Sequence, residues 1–189
     1  MPMGVLIRGA AMVLAPLLLL LLSPGGRMAH AGFESAQIGI SFPDELAGFR
    51  YRGTHDYGSP SAGVSLRYEH GDAHADIYIY TGGLTGISDG IGASATINEF
   101  RQAAEAVLRY ARQQHQAIET VTRESTIRPG GPVPFLFALF RRTGTPPQES
   151  VLLLTRYHDT FVKIRITYPP ARSAAVQAFA AAVADLLAK

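Results

Sequence analysis

Between Val64 and Tyr80 the chain reads VSLRYEHGDAHADIYIY, and its side chains change character with a period of two on both sides of Gly71-Asp72. That period is the pleat of a β-strand, and a glycine opening a two-residue centre permits a type II′ turn. The segment is expected to fold as an antiparallel hairpin pairing Glu69 with His74, Tyr68 with Ala75, Arg67 with Asp76, Leu66 with Ile77 and Val64 with Ile79. A longer loop over residues 70–73 leaves these pairs unchanged. One face is then apolar or aromatic. The other sets Arg67 opposite Asp76 and Glu69 opposite His74, each pair contributing about 0.2–1 kcal/mol. A slip of one residue would mix the faces, so the register is well specified.

The second half repeats the pattern. Residues 134–142, PFLFALFRR, and 149–157, ESVLLLTRY, flank the turn-forming TGTPPQ. Aligning Arg142 with Glu149 places Phe140 beside Val151, Ala138 beside Leu153 and Leu136 beside Thr155. A turn centred on His158-Asp159 returns residues 161–168, FVKIRITY, with Val162 beside Thr155, Ile164 beside Leu153 and Ile166 beside Val151. Three strands are thus expected to share one apolar face as a meander. Further strands are expected at residues 37–42 and 48–57, around PDEL, and at 119–128.

Two segments carry helical periodicity. Residues 96–115 open with Thr96 and Glu99 in capping-box spacing and repeat Ile97, Phe100, Ala104, Val107, Leu108 and Ala111 on one face. Residues 173–187 follow Pro169-Pro170 and place Val176, Phe179, Val183, Leu186 and Leu187 on an inner stripe. His115 lies where it would favour the C-terminal carbonyls of the first helix. The order of four strands, helix, four strands, helix predicts an α+β fold, an antiparallel sheet with two main helices packed on it.

The N-terminus has a different character. Arg8 precedes the apolar run of residues 10–22, and SPGGRMAHA ends in the small-x-small pattern Ala29-His30-Ala31. Residues 1–31 read as a signal peptide cleaved between Ala31 and Gly32. The run falls short of the ~20 residues that span a bilayer, and Pro16 interrupts it. Residues 32–189 then form a single domain located in the periplasm or secreted, with no stable membrane span after cleavage. The chain has no cysteine, which excludes disulfides, thiolate metal sites and a cysteine nucleophile. Of its 17 Lys and Arg residues, Arg8 and Arg27 belong to the leader, which leaves 15 against 15 Asp and Glu. That balance argues against a nucleic-acid partner.

The element order, together with GISFPDEL near the start, the mid-chain helix and FVKIRITYPP leading into a C-terminal helix, resembles the PsbP-like fold. That resemblance implies an α/β/α sandwich and a non-catalytic binding or assembly role, with a protein or small molecule as partner.

Glu69, His70, His74 and Asp76 are the candidate metal ligands, since imidazole with carboxylate suits zinc, copper or nickel. Arg67 opposite Asp76 places a positive charge where such a cation would sit, so these residues read first as cross-strand pairs. Tyr78 and Tyr80 share the face of His74 and Asp76. They line either a ligand cleft or a surface beneath a packed helix. No catalytic residue and no cofactor is assigned. H-E-x-x-H is absent, no G-x-S-x-G elbow is expected, and His55-Asp56 and His158-Asp159 put adjacent side chains on opposite faces when extended. Residues 81–94, rich in glycine, contain neither G-x-x-x-x-G-K-[ST] nor G-x-G-x-x-G and read as a loop. A metal-binding protein using the Glu69–Asp76 cluster and a hydrolase with a dispersed site are the alternative readings.

Overall fold

A computed structural model describes residues 31–189. The expected leader falls outside them apart from Ala31, where the first strand begins. The strands are β1 (Ala31–Ser35), β2 (Ile40–Pro43), β3 (Glu45–Leu46), β4 (Phe49–Asp56), β5 (Val64–His70) and β6 (Ala73–Tyr80). Helix α1 (Ser94–Gln113) follows, then β7 (Ile118–Ile127), β8 (Phe135–Arg142), β9 (Gln148–Tyr157) and β10 (Thr160–Tyr168). A 3-10 turn over Pro170–Arg172 leads into α2 (Ser173–Leu187). β1 and β2 form a two-stranded ribbon. The other eight strands form one antiparallel sheet in the order β3-β4-β5-β6-β10-β9-β8-β7.

The β5–β6 hairpin has the register that alternation demands, Glu69 with His74 through Val64 with Ile79. Gly71 takes the positive φ, +60°, that opens its two-residue turn. The β9–β10 pairing also follows expectation, with Val162 opposite Thr155 and Ile166 opposite Val151. Its turn holds both His158 and Asp159 at positive φ, the signature of type I′.

The β8–β9 register differs by one residue from the expected one. Arg141, not Arg142, lies opposite Glu149, so Phe140 meets Ser150, Ala138 meets Leu152 and Leu136 meets Leu154. Phe140, Ala138 and Leu136 therefore turn to the opposite face from Val151 and Leu153. Both faces of these strands are apolar: Leu136, Ala138 and Phe140 pack against α1, while Phe137 and Leu139 join the other cluster. A strand covered on both sides carries no polar alternation to fix its register. Arg141 fixes it instead, reaching Glu149 at 3.2 Å and Glu119 at 3.3 Å.

The helices lie on opposite faces of the sheet. α2 covers the larger core, where Phe179 packs 4.6 Å from Phe49 and 5.5 Å from Tyr68, ring to ring. Ala180 and Ala184 on its inner stripe let the helix approach the strands closely. α1 covers β8 and β9 through Phe100 and Val107. It starts and ends two residues earlier than expected, and the capping box is not formed. Ala93 occupies the cap position, Thr96 is buried in the first turn with its hydroxyl unbonded, and the Glu99 carboxylate is taken by Tyr80. His115 closes the helix through its backbone N–H, which donates to Arg112 O at 3.1 Å.

Candidate functional site

On the α1 side the antiparallel pairings lay side chains out in cross-sheet rows. One row is Ser65, Tyr78, Lys163, Leu154 and Leu136; the next is Arg67, Asp76, Arg165, Leu152 and Ala138; the third is Glu69, His74, Thr167, Ser150 and Phe140. The first three members of every row, from β5, β6 and β10, are polar. The last two, from β9 and β8, are apolar except Ser150, and these are the ones α1 covers. The helix therefore shields half the face and leaves the other half only partly covered. At the seam lies a cleft of about 330 Å³, floored by Arg67, His74, Asp76, Tyr78, Arg165 and Thr167. Val107, Tyr110 and Ala111 of α1 form its wall, and Ser150, Gln148 and Arg142 close its inner end.

Asp76 is held by Arg67 through both oxygens, Nε to Oδ1 at 2.5 Å and Nη2 to Oδ2 at 3.1 Å. Glu69 is bound by Arg52 Nε at 2.9 Å. His74 is half-buried; desolvation first, then the Arg67 charge, holds its pKa below the usual histidine value and keeps the imidazole neutral. Tyr80 donates to Glu99 Oε1 at 2.5 Å and is covered by the helix, while Tyr78 faces the cleft. Burial pushes both phenols up. Lys163 sits 4.7 Å from the Tyr78 ring centre and 4.9 Å from that of Tyr80, and burial lowers its pKa against the opposing pull of Glu99. Arg165, half-buried beside Asp76, makes no ion pair or hydrogen bond among the described residues.

Of the four candidate metal ligands, Glu69, His74 and Asp76 share this face, but their carboxylates are engaged by guanidinium groups. His70 faces the other way, donating from Nδ1 to Gly48 O at 2.8 Å, with its ring 5.3 Å from Phe49. Among the described residues no three His, Asp or Glu side chains gather closely enough to hold a metal ion. The hairpin tip serves another contact: Arg172, at the entrance to α2, binds Asp72 at 3.0 Å across a separation of 100 residues.

Two arrangements resemble hydrolytic machinery. The row Glu69–His74–Thr167–Ser150 holds an imidazole and two hydroxyls, but the Thr167 hydroxyl beside His74 meets Ser150 at 3.5 Å, and β10 stands between His74 and Ser150. Two interstrand spacings separate Ser150 from His74 by about 10 Å, beyond proton-transfer reach. The second is Gly86–Gly90, GISDG, which does have the G-x-S-x-G spacing of a nucleophile elbow. That motif needs a strand running straight into a helix. Here Ser88 is exposed in the loop between β6 and α1. The nearby Asp159 carboxylate accepts from Ile87 N–H and Arg156, while the His158 ring stacks on Tyr157 at 4.1 Å. The glycine-rich loop is pinned by Arg156, whose buried guanidinium donates to the carbonyls of Leu84, Ile87 and Asp159 and lies 4.7 Å over Phe161.

Sequence reading missed Lys163, Arg165, Thr167 and Ser150 as site residues. Alternation in FVKIRITY puts the first three on one face. Their meeting with Tyr78, Asp76 and His74 depends on β10 lying beside β6, a pairing between distant parts of the chain. The sequence matches no protein-family model and no curated protein.

Proposed function

We propose that this protein is a non-catalytic binding domain that works in the periplasm or outside the cell and receives a small molecule in the cleft beside α1. One observation carries the reading: the polar half of the α1 face is only partly covered and is walled by a helix. Recessed pockets that combine apolar walls with a few placed polar groups are the usual form of a ligand site. Ser150 lies two strands from His74, and the Thr167 hydroxyl meets Ser150 at 3.5 Å rather than the imidazole, which supports binding over catalysis. The leader-like residues 1–31 support the location, and the element order supports the PsbP-like reading, which carries the same non-catalytic expectation.

Fragment screening by ¹⁵N-resolved NMR tests the site. Shifts induced by small ligands are expected to cluster at Tyr78, Thr167 and Val107. Clustering instead along the apolar groove between α2 and β8, lined by Phe137, Leu139 and Val176, would move the site to the other face. For location, residues 1–31 fused to an alkaline phosphatase lacking its own leader should give active enzyme; an inactive fusion retained in the cytoplasm would overturn that part.

A further inference from the structure

We infer that the cleft selects an oxyanion, a carboxylate or a phosphate, carried on a compact apolar or aromatic body, and that Arg165 is its anchor. This rests on the cleft being a ligand site.

The charges lining the cleft do not cancel. Three guanidinium groups line it, those of Arg67, Arg142 and Arg165. Asp76 has both oxygens committed to Arg67, and Arg142 is bonded to the uncharged Gln148. Glu149, whose backbone borders the same end, sends its carboxylate to Arg141 on the opposite face of the sheet. The lining therefore holds positive charge in excess, carried by Arg142 and Arg165, and of the two only the Arg165 guanidinium has no hydrogen-bond partner among the described residues. A partly desolvated guanidinium without a partner is costly, and a planar carboxylate or a phosphate satisfies its forked donors geometrically.

The surroundings define the rest of the ligand. Thr167 and Ser150 present hydroxyls 3.5 Å apart beside Arg165, able to donate to a second oxygen. His74 is neutral and Tyr78 un-ionised, so neither repels an anion there. Opposite this polar floor, Val107 and Ala111 give an apolar wall, and Tyr110, 53% exposed, stands at the rim as a stacking surface. A volume of about 330 Å³ limits the occupant to one or two rings with the charged group attached. A bare cation has no place beside Arg165, and a long polyanion would leave the apolar wall unused.

The test titrates the purified full chain with phenyl phosphate, benzoate and the uncharged benzamide, following NMR shifts. The two anions should bind at least tenfold more tightly than benzamide, with shifts at Arg165, Thr167 and Ser150, and weaken as salt is raised. The tighter of the two names the oxyanion. Arg165→Gln should weaken both anions at least tenfold while leaving benzamide unchanged and without lowering the melting temperature. Arg165→Lys, which keeps charge but loses the fork, should fall between and serves if the glutamine variant does not fold. Equal binding of all three probes would overturn the oxyanion selection yet leave the cleft as a ligand site. Failure of every probe, charged and neutral, to perturb the cleft would remove the cleft reading and this inference with it.

Discussion

The two faces of the sheet are built to different ends. Beneath α2 the strands of the sheet present Leu66, Ala75, Ile77, Leu153, Ile164 and Ile166, all buried and joined in one cluster. Beneath α1 the same strands, read from their other side, divide into a covered apolar half and an open polar half. The α2 face supplies cohesion. The α1 face gives up part of its possible burial and holds charged side chains in place instead, an arrangement that stability alone does not favour.

Perturbations of the two faces should separate accordingly. The largest effect is expected from Phe179→Ala, which empties a fully buried ring site beneath α2 and should cost about 3–5 kcal/mol in urea denaturation. A loss below about 1 kcal/mol would deny that face its role. On the polar side, a double-mutant cycle with Arg67→Ala and Asp76→Ala should give a coupling of about 1–2 kcal/mol, since the pair is bidentate but partly solvated. Smaller still, Lys163→Met should change stability by less than about 1 kcal/mol in either direction, because the lysine is substantially desolvated and a methionine fills similar space. A large loss there would mean that the polar half is structural after all.

The smallest effect is one of pH. His74 faces Arg67, Arg165, Asp76 and Glu69, and its folded pKa lies below the ordinary value of 6.5. The unfolded chain therefore binds the proton more readily than the folded one. The stability this group contributes is present above about pH 6.5 and falls away as pH drops toward the folded pKa. Unfolding titrations of the protein and of His74→Gln should diverge in slope within that window; parallel curves would show that the site does not bias the imidazole.

What could be read from the sequence follows from how many sides of each strand are covered. β5 and β6 show water on one side, so Arg67, Asp76, Glu69 and His74 announce their register, and alternation alone already places His70 on the far face. β8 and β9 are apolar on both sides, so the pattern allows two registers and the choice falls to Arg141 with its two carboxylates. α2 is legible because Pro169-Pro170 ends the preceding strand and its apolar stripe is uninterrupted. α1 is displaced because Thr96 matches a capping motif whose glutamate is engaged by Tyr80. The cleft was half legible: Tyr78, His74 and Asp76 stand out as a cluster, whereas Arg165 and Thr167 gain meaning only from a long-range pairing.

That pairing has a consequence for assembly. β10, the last of the described strands to emerge, is seated in the middle of the sheet, between β6 and β9. Until it arrives, the earlier hairpins keep an unmatched row of backbone donors and acceptors, and α2 has no complete surface to cover. A chain cut before Thr160 would consist of two fragments of sheet without the strand that pairs with both, so closure of the whole sheet waits on β10.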